Sequence, residues 1–182
     1  LSMTYDTPKN LTKNTFTKAG YEFVGWNTNL DATTAQYTDG ASVNNLSFEN
    51  GGIVTLYAIW KKEITVSYNA NGGSGAPSSE SNTVFNDETS ADFKISTVEP
   101  VRTGYTFIGW ATSSTATSAR YLPGETYSFS TDTELFAVWD VNEYTLIINP
   151  NGGRYNGTDE NTEIQGDYNS TITVSNPTPP TA

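Results

Sequence analysis

Short segments with alternating apolar and polar residues recur along the chain, and each predicts a β-strand. Residues 64–68 (ITVSY) alternate with the period of a half-buried strand. Residues 105–110 (YTFIGW) and 135–139 (LFAVW) carry apolar side chains in both alternating sets, which predicts strands buried on two faces. In residues 105–110, strict alternation places Phe107 and Trp110 on opposite faces of a central strand. No segment shows a sustained 3.6-residue period, so any helix is short and has no predicted position.

Two tripeptides predict turns. Asn71-Gly72-Gly73 and Asn151-Gly152-Gly153 each follow a predicted strand, and Asn and Gly accept positive φ angles at little cost. Each turn is expected to open a connection to a second strand. That strand is predicted near Thr83–Asn86 in one copy and near Thr171–Val174 in the other.

Three blocks of this pattern occur twice, in the same order. The pairs are residues 20–26 (GYEFVGW) and 104–110 (GYTFIGW), residues 56–60 (LYAIW) and 135–139 (LFAVW), and residues 63–73 (EITVSYNANGG) and 143–153 (EYTLIINPNGG), at offsets of 84, 79 and 80 positions. The first copy carries extra turn-like residues at 49–52, and an indel confined to a connection is typical of a surface loop. Ordered matches of this kind predict a tandem array of small modules.

The repeat divides the chain into three sections. Residues 1–62 form a module that lacks its first strand, residues 63–140 form a complete module, and residues 141–182 form the N-terminal part of a further module. The linkers at 61–63 and 140–143 are too short to behave as flexible coil, so successive modules are expected in restricted orientations. Because the chain opens inside a strand-like stretch, we expect a longer protein in which any export signal or wall anchor lies outside these residues.

The order G-Y-x-F-x-G-W, then L-[YF]-A-x-W, then a strand ending in N-G-G resembles the Listeria–Bacteroides repeat family, which is related to the internalin B-repeat. The resemblance covers nearly the whole chain. It implies a mostly β or α+β fold of tandem small β-grasp (ubiquitin-like) modules with short linkers. It also implies an exported or surface-attached bacterial protein, in which such modules act as stalk, adhesion or interaction elements and carry no catalytic residues.

The charge of the chain excludes some classes of partner. Nine basic residues stand against 20 acidic residues, for a net charge of −11, and the basic residues form no stripe. A phosphate backbone would be repelled, so no nucleic-acid partner is predicted. The same sign disfavours docking on anionic lipid. No apolar run approaches the roughly 20 residues of a membrane span, so none is predicted here.

The side chains that most enzymes need are missing. The chain has no His and no Cys, which removes the usual general bases, nucleophile–base pairs and zinc ligands. A pair of carboxylates for glycoside cleavage is still conceivable among 20 acids. Among the repeated blocks, however, only Glu63 and Glu143 coincide, and both lie at a module junction, where a structural or solubility role is expected. We predict no enzymatic activity, no catalytic residue and no cofactor.

The Trp residues and the acidic clusters each have a functional and a structural interpretation. The four Trp residues are able to stack on sugar rings, but their place on two-sided apolar strands favours a role in the core. Two acidic clusters suggest Ca²⁺ ligands but lack the spaced loop of a calcium site, so we predict solvated loop charge and no metal site. The clusters are Asp87, Glu88 and Asp92, and Asp159, Glu160, Glu163 and Asp167.

Two sequence features are compatible with covalent modification. Lys94, between Phe93 and Ile95, is the one candidate donor for a Lys–Asn isopeptide cross-link, and a surface Lys on an edge strand is the favoured interpretation. Asn10-Leu11-Thr12 and Asn156-Gly157-Thr158 match the N-glycosylation sequon, which in a bacterial protein is interpreted as coincidence.

Two functional hypotheses follow. The first is a non-catalytic spacer and protein-interaction element of a bacterial cell surface, with an unidentified protein or host-surface partner. The alternative is a carbohydrate- or host-protein-binding module that uses exposed aromatic side chains, which would require a contiguous exposed apolar patch. The incomplete terminal modules have complementary missing parts, which favours head-to-tail self-association by strand donation. The alternative is that the module boundary differs from this alignment and that both ends close on their own.

Overall fold

The computed structural model describes residues 1–174, and within them it contains eleven strands and no helix. The strands are β1 (Lys9–Asn10), β2 (Glu22–Asn27), β3 (Ser42–Val43), β4 (Tyr57–Asn69), β5 (Glu80–Phe85), β6 (Ala91–Lys94), β7 (Tyr105–Ala111), β8 (Thr126–Phe129), β9 (Thr133–Val141), β10 (Glu143–Ile148) and β11 (Thr162–Asp167). The prediction of a mostly β fold is confirmed.

The strands form one five-stranded sheet and three two-stranded sheets. The larger sheet has the order β2-β4-β9-β7, and β5 also pairs with β4. The small sheets are β1–β3, β6–β8 and β10–β11. The chain divides into two compact units. Unit 1 holds Leu1–Val66, Ser79–Phe93 and Thr126–Thr133, and unit 2 holds Ser67–Ser78, Lys94–Glu125 and the described residues from Glu134 onward.

One long strand joins two segments that the sequence predicts as separate strands. β4 runs for 13 residues from Tyr57 to Asn69, and its residues from Lys61 to Val66 pair with β5 in antiparallel register. It therefore contains the LYAIW block from Tyr57 onward, the strand at 64–68 and the linker between them. Residues 61–63 are strand residues rather than a connection.

A β-bulge interrupts the alternation of β7. The register of β7 against β9 shifts between Phe107 and Gly109, so Ile108 is an extra residue. The Phe107 and Trp110 rings consequently lie on one side, with centroids 5.0 Å apart. The prediction that they face opposite ways is wrong, because an inserted residue inverts the alternation beyond it. The prediction of a central strand is also wrong, since β7 is at the end of the sheet order.

The glycine of the G-W motif is required by a close approach of two backbones. Trp110 N donates to Tyr121 O at 2.9 Å, and Tyr121 N donates to Trp110 O at 3.0 Å. A Cβ on Gly109 would lie 2.7 Å from Ala119 Cβ, and its φ of +127° is strained for other residues. The same geometry recurs at Gly25 in the first copy.

The predicted turns are confirmed, but one predicted strand is misplaced. Asn71 and Asn151 have φ of 48° and 49°, as left-handed turn residues do. The strand after the first turn is β5, close to the predicted position. The strand after the second is β11 at Thr162–Asp167, whereas Thr171–Val174 has no regular structure. That second prediction is wrong, because β11 pairs in register with β10 despite having only one aliphatic side chain.

Candidate interaction surface

The G-Y-x-F-x-G-W and L-[YF]-A-x-W blocks build the same aromatic cluster once in each unit. In unit 1, Phe23 lies 5.1 Å from Trp26 and 5.4 Å from Trp60 between ring centroids. In unit 2, Phe107 has the corresponding contacts at 5.0 and 5.8 Å, the second of them with Trp139. All are edge-to-face contacts, which aromatic quadrupoles favour.

The prediction that the Trp residues lie in the core is fully confirmed for Trp110. Trp110 is completely buried, whereas Trp26, Trp60 and Trp139 are half-buried. In unit 2 a further ring, Tyr68 of the N-G-G strand, covers Trp110 at 4.9 Å. Residues 1–62 have no such strand. Phe16 approaches Trp26 instead, at 6.1 Å, and remains 64% exposed.

In unit 2 the N-G-G turn closes the cluster with side-chain hydrogen bonds. The indole Nε1 of Trp139 donates to Ala70 O and to Asn71 O, both at 3.1 Å. The Asn71 amide Nδ2 donates to Ala137 O and Ser114 O, both at 2.9 Å. The turn therefore provides hydrogen-bond partners for both the Trp139 indole N–H and the Ala137 carbonyl.

The residue after the turn, Ser74, adds a pair of backbone hydrogen bonds. Ser74 and Val101 exchange two N–H to carbonyl hydrogen bonds of 2.9 Å. Beside them, the Arg102 guanidinium lies 3.8 Å from the Tyr105 ring centroid. Lys18 lies over Tyr21 in the same way in unit 1, at 4.5 Å, so the two loops before the G-Y motif are alike.

In unit 1 the corresponding position is an open groove. It is lined by residues 16–18, Leu30, Asp31, Thr33, Ala58, Trp60 and residues 85–88. Leu30, like Phe16, is largely exposed at 58%. Three groups whose counterparts are bonded in unit 2 lack a partner among the described residues. They are the Trp60 indole N–H, the Thr17 backbone groups and the carbonyl of Ala58.

The position of Ala58 follows from the pairing of its neighbour. Trp26 N donates to Tyr37 O at 2.8 Å, and Trp26 O accepts from Tyr37 N at 2.9 Å. Ala58 is opposite Trp26 in the ladder, and the backbone groups of a non-hydrogen-bonded pair point away from each other. Its N–H and carbonyl therefore face the other edge of β4, which β5 joins only from Lys61.

One side of the groove is covered by the turn after β5. Asn86 N donates to Trp60 O at 2.9 Å, and Asn86 Oδ1 accepts from Trp60 N at 3.1 Å. Asn86 Nδ2 donates to Ala32 O at 2.9 Å and reaches Leu30 O at 3.5 Å. Lys18 Nζ contacts Asn86 O and forms an ion pair with Asp87 at 3.2 Å. A residue from the second sequence copy thus replaces part of the missing turn.

The acidic clusters are used in local contacts or face solvent. Asp87 pairs with Lys18, Glu88 Oε2 accepts from Phe85 N at 2.9 Å, and Asp92 accepts from the Ser128 hydroxyl. The second cluster is exposed in all its members, Asp159, Glu160, Glu163 and Asp167. Within residues 1–174 no group of three acidic residues is placed to hold a metal ion.

The remaining candidate residues are on the surface. Lys94 is exposed, so it lacks the buried environment that an isopeptide bond needs. Glu63 and Glu143 are exposed and lie on β4 and β10, far apart in sequence. Asn10 lies exposed in β1, and Asn156 occupies a turn with φ of 51°. None of these residues meets another in a catalytic arrangement.

Sequence analysis did not name the residues of the open groove as a site. Phe16 and Leu30 lie in loops without periodicity, and Asn86 reaches the carbonyl of Leu30 from 56 positions away. The available signal was the repeat alignment, in which residues 1–62 have no counterpart of 63–73. That alignment predicts an incomplete module but not which side chains line the gap.

Comparison with known proteins agrees with the repeated motif. The Listeria–Bacteroides repeat domain matches twice, over residues 2–59 and 65–138. Two relatives from Evansella cellulosilytica are similar to this chain over 90% of its length. One, provisionally named a Gly-rich membrane protein, is 30% identical over 167 residues, and the other, provisionally named a membrane protein, is 34% identical over 170.

The chain spans only 18% and 21% of the lengths of these two relatives. No solved structure matches it. Among residues 1–174 there is no helix with the length and apolarity of a membrane span. The two family matches together cover well over half of the sequence and include both G-Y-x-F-x-G-W blocks. The chain therefore belongs to the Listeria–Bacteroides repeat domain family.

Proposed function

We propose that this chain is a non-catalytic, tandem-repeat spacer and protein-interaction segment of a bacterial cell-surface protein. The observation that supports the spacer role best is the continuity of β4. The end of one sequence repeat and the first strand of the next lie in the same 13-residue strand. A strand that runs through a junction leaves few free backbone dihedral angles there, as a stiff spacer requires.

Pairing on both edges of the strand supports the same role. Lys61, the first linker residue, is opposite Glu22 of β2 on one edge and opposite Phe85 of β5 on the other. The Lys61 and Glu22 side chains also form an ion pair at 3.2 Å. Bending at Lys61 would therefore break backbone pairing with two strands.

We propose the β-grasp assignment for the repeat on its strand order. In the repeat at 63–140, the order β5, β4, β9, β7 places the second, first, last and fourth strands side by side. The segment between β5 and β7, where a ubiquitin-like fold carries a helix, is extended and contains β6. The assignment is thus to a helix-free variant of that fold.

A cell-surface location is supported by the relatives and by composition. Both relatives are named as membrane proteins and are several times longer than this chain. The strongly acidic, Cys-free sequence suits a solvated repeat outside the cell. The absence of His and Cys from the sequence supports a non-catalytic role.

The spacer role is tested by distance measurements between spin labels. Because the sequence has no Cys, Thr38→Cys and Thr117→Cys, both at exposed positions, give two defined labels. Pulsed electron–electron double resonance on dilute protein then measures the distribution of their separation. We expect one narrow distribution, which broadens when Gly-Gly-Ser-Gly is inserted between Lys62 and Glu63.

The matched control places the same insertion after Gly51, in the connection where the two repeats already differ in length. That insertion should leave the distribution narrow. A broad distribution in the protein without any insertion would contradict the spacer role, since β4 would then not hold the junction.

The alternative, a module that binds carbohydrate or host protein, is favoured by one observation. Four aromatic rings are more than half exposed: Tyr5, Phe16, Phe48 and Tyr144. Phe16 is grouped with Leu30 in the open groove. Binding of a glycan or host protein that Phe16→Ser abolishes, with the unfolding midpoint unchanged, would favour this alternative.

A further inference from the structure

We propose that the repeat at 63–140 bears tension, and that β4 and β9 together form a clamp that resists extension of the chain. The inference rests on the proposed spacer function and deepens it, because a stalk between a cell and its partner carries the pull between them. It concerns the complete repeat, whose connections at both ends are to residues that the structure describes.

The chain enters and leaves this repeat through neighbouring strands. β4 carries it in at Glu63, β9 carries it out at Asp140, and the two strands are adjacent in the five-stranded sheet. Tension on the array acts on the repeat at these two points. The load therefore passes directly across the β4–β9 pair.

The two strands of the clamp run in the same direction. Residue numbers rise together along the contacts between them, whereas in an antiparallel pair one would rise as the other falls. The side-chain contacts, in order, are Asn69 Nδ2 to Glu134 Oε1 at 3.0 Å, Asn71 Nδ2 to Ala137 O at 2.9 Å, and Trp139 Nε1 to Asn71 O at 3.1 Å. Tension thus pulls the start of β4 and the end of β9 in opposite directions, parallel to both strands.

This direction of loading is the one in which a strand pair is hardest to break. Strands pulled from opposite ends slide past each other, so all the hydrogen bonds between them share the load and break together. Strands pulled from the same end separate like a zipper, and each bond carries the whole load in turn. The same set of bonds therefore withstands a larger force in shear.

The clamp is inside the sheet and its side chains exclude water. β5 pairs with β4 along Lys61–Val66, and β7 pairs with β9, so each strand of the clamp has a further neighbour. Val66, Leu135 and Ala137 are completely buried. Hydrogen bonds in such surroundings are stronger than in water, and no solvent molecule is at hand to replace them during loading.

The turn after β4 strengthens the clamp at its far end. The Trp139 indole also donates to Ala70 O at 3.1 Å, so the last residues of β9 are bonded to this turn. A Cβ on Gly73 would lie 2.6 Å from Trp139 Cζ2, which shows how closely the turn packs on the ring. Sliding β9 past β4 would break these contacts together with the backbone hydrogen bonds.

Load reaches the clamp without first straightening a loop. β4 is continuous through Glu63, and the residue pair Lys61 and Glu22 anchors the strand just before it, with an ion pair at 3.2 Å. At the exit, β9 continues past Asp140 to Val141. Both points at which tension acts are therefore held in strands.

The test is single-molecule force spectroscopy with two pulling directions. Because the sequence has no Cys, pairs of introduced thiols define where the handles attach. Glu63→Cys with Asp140→Cys loads the clamp in shear, and Ser74→Cys with Asp140→Cys pulls both strands from the same end. All three positions are exposed. We expect the rupture force in shear to be about threefold or more the force in the second direction, since forced unfolding follows the unfolding barrier.

The length of chain released identifies the event. Unfolding of this repeat should release about 3.4 Å for each residue between the two handles. Thermal unfolding of both variants without load shows that they are folded and equally stable, so a difference in force reports direction alone. Equal rupture forces, or a larger force when both strands are pulled from the same end, would overturn the proposal.

A matched pair of substitutions locates the resistance. In the shear variant, Asn71→Gly keeps a residue that accepts positive φ but removes the amide bonded to Ala137 O, and should lower the rupture force about 1.5-fold. Asn86→Gly is the control, since Asn86 also has positive φ and its amide donates to Ala32 O, outside the clamp. It should leave the force unchanged.

Equal losses in the two Gly variants would place the resistance outside the clamp and overturn the proposal. If Asn71→Gly does not fold, the comparison of pulling directions still decides, because the clamp is intact in both of its variants. The spin-label experiment measures the junction at 61–63 without load. A broad distance distribution there would contradict the spacer role and leave the ratio of rupture forces unaffected, so the two failures are distinguishable.

Discussion

Residues 63–73 and residues 143–153 carry the same motif and differ in burial. Ile64 and Val66 on β4 are completely buried, whereas their counterparts Tyr144 and Leu146 on β10 are 52% and 39% exposed. The turns that follow the two strands have the same φ angles and the same internal hydrogen bonds. The two regions therefore have the same local backbone conformation, but their side chains differ in burial.

The difference arises from the number of neighbouring strands. β4 is inside a five-stranded sheet, with β5 paired along Lys61–Val66, while β10 belongs to a sheet of two strands. A two-stranded ribbon has too few neighbours to cover an apolar face. The alternating pattern thus specifies which side chains a strand is able to bury, and the surrounding sheet decides whether they are buried.

The largest effect is expected at the aromatic cluster that the buried copy covers. Trp110→Ala removes a completely buried ring that contacts Tyr68 and Phe107, and should lower the free energy of unfolding by about 3–5 kcal/mol. Guanidinium denaturation measures the loss. A variant with the original midpoint would show that Trp110 is not part of the core.

The comparison itself is tested by a matched pair of substitutions. Ile64→Ala should cost about 2–5 kcal/mol, because the site is completely buried. Tyr144→Ala should change the free energy of unfolding by no more than about 0.5 kcal/mol. Both are measured by denaturation at low protein concentration, so that association does not contribute. Equal losses at the two positions would contradict the difference in burial.

A smaller difference is expected between two glycines with the same backbone angle. Gly104 and Gly20 have φ of 79° and 77°, so substitution by Ala strains both alike. A Cβ on Gly104 would collide with the Tyr168 ring, which follows β11, whereas one on Gly20 meets no atom within 4 Å. Gly104→Ala should therefore cost roughly 1–3 kcal/mol more, as measured by thermal unfolding. An identical cost would mean that Tyr168 does not pack on Gly104.

No effect is expected from divalent metal ions. The acidic residues around β10 and β11 are exposed, and no group of three within residues 1–174 is placed around a common ion. Unfolding curves with Ca²⁺ and with chelator should superimpose, because only a ligand that binds the native state raises the melting temperature. A clear rise with Ca²⁺ would show a site that these residues do not reveal.

Some elements were predictable because their signals are local. The N-G-G turns depend on the positive-φ preference of Asn and Gly, and the strand at 135–139 shows its two apolar faces directly in the sequence. β11 was missed because Ile164 is its one aliphatic residue, so the segment shows no alternating apolar pattern. It forms a strand because its backbone pairs with β10. The bulge at Ile108 was missed because one extra residue leaves no mark on composition.

The sequence by itself determined the repeat, the strands with strong alternation, the turns and the family. These depend on short-range preferences and on motifs that recur in register. Only the tertiary structure decided that the linker at 61–63 lies within β4, that Asn86 covers part of the first repeat, and that equivalent strands differ in burial. Such features depend on contacts between residues distant in sequence, and the pattern within one segment does not contain the identity of its neighbours in space.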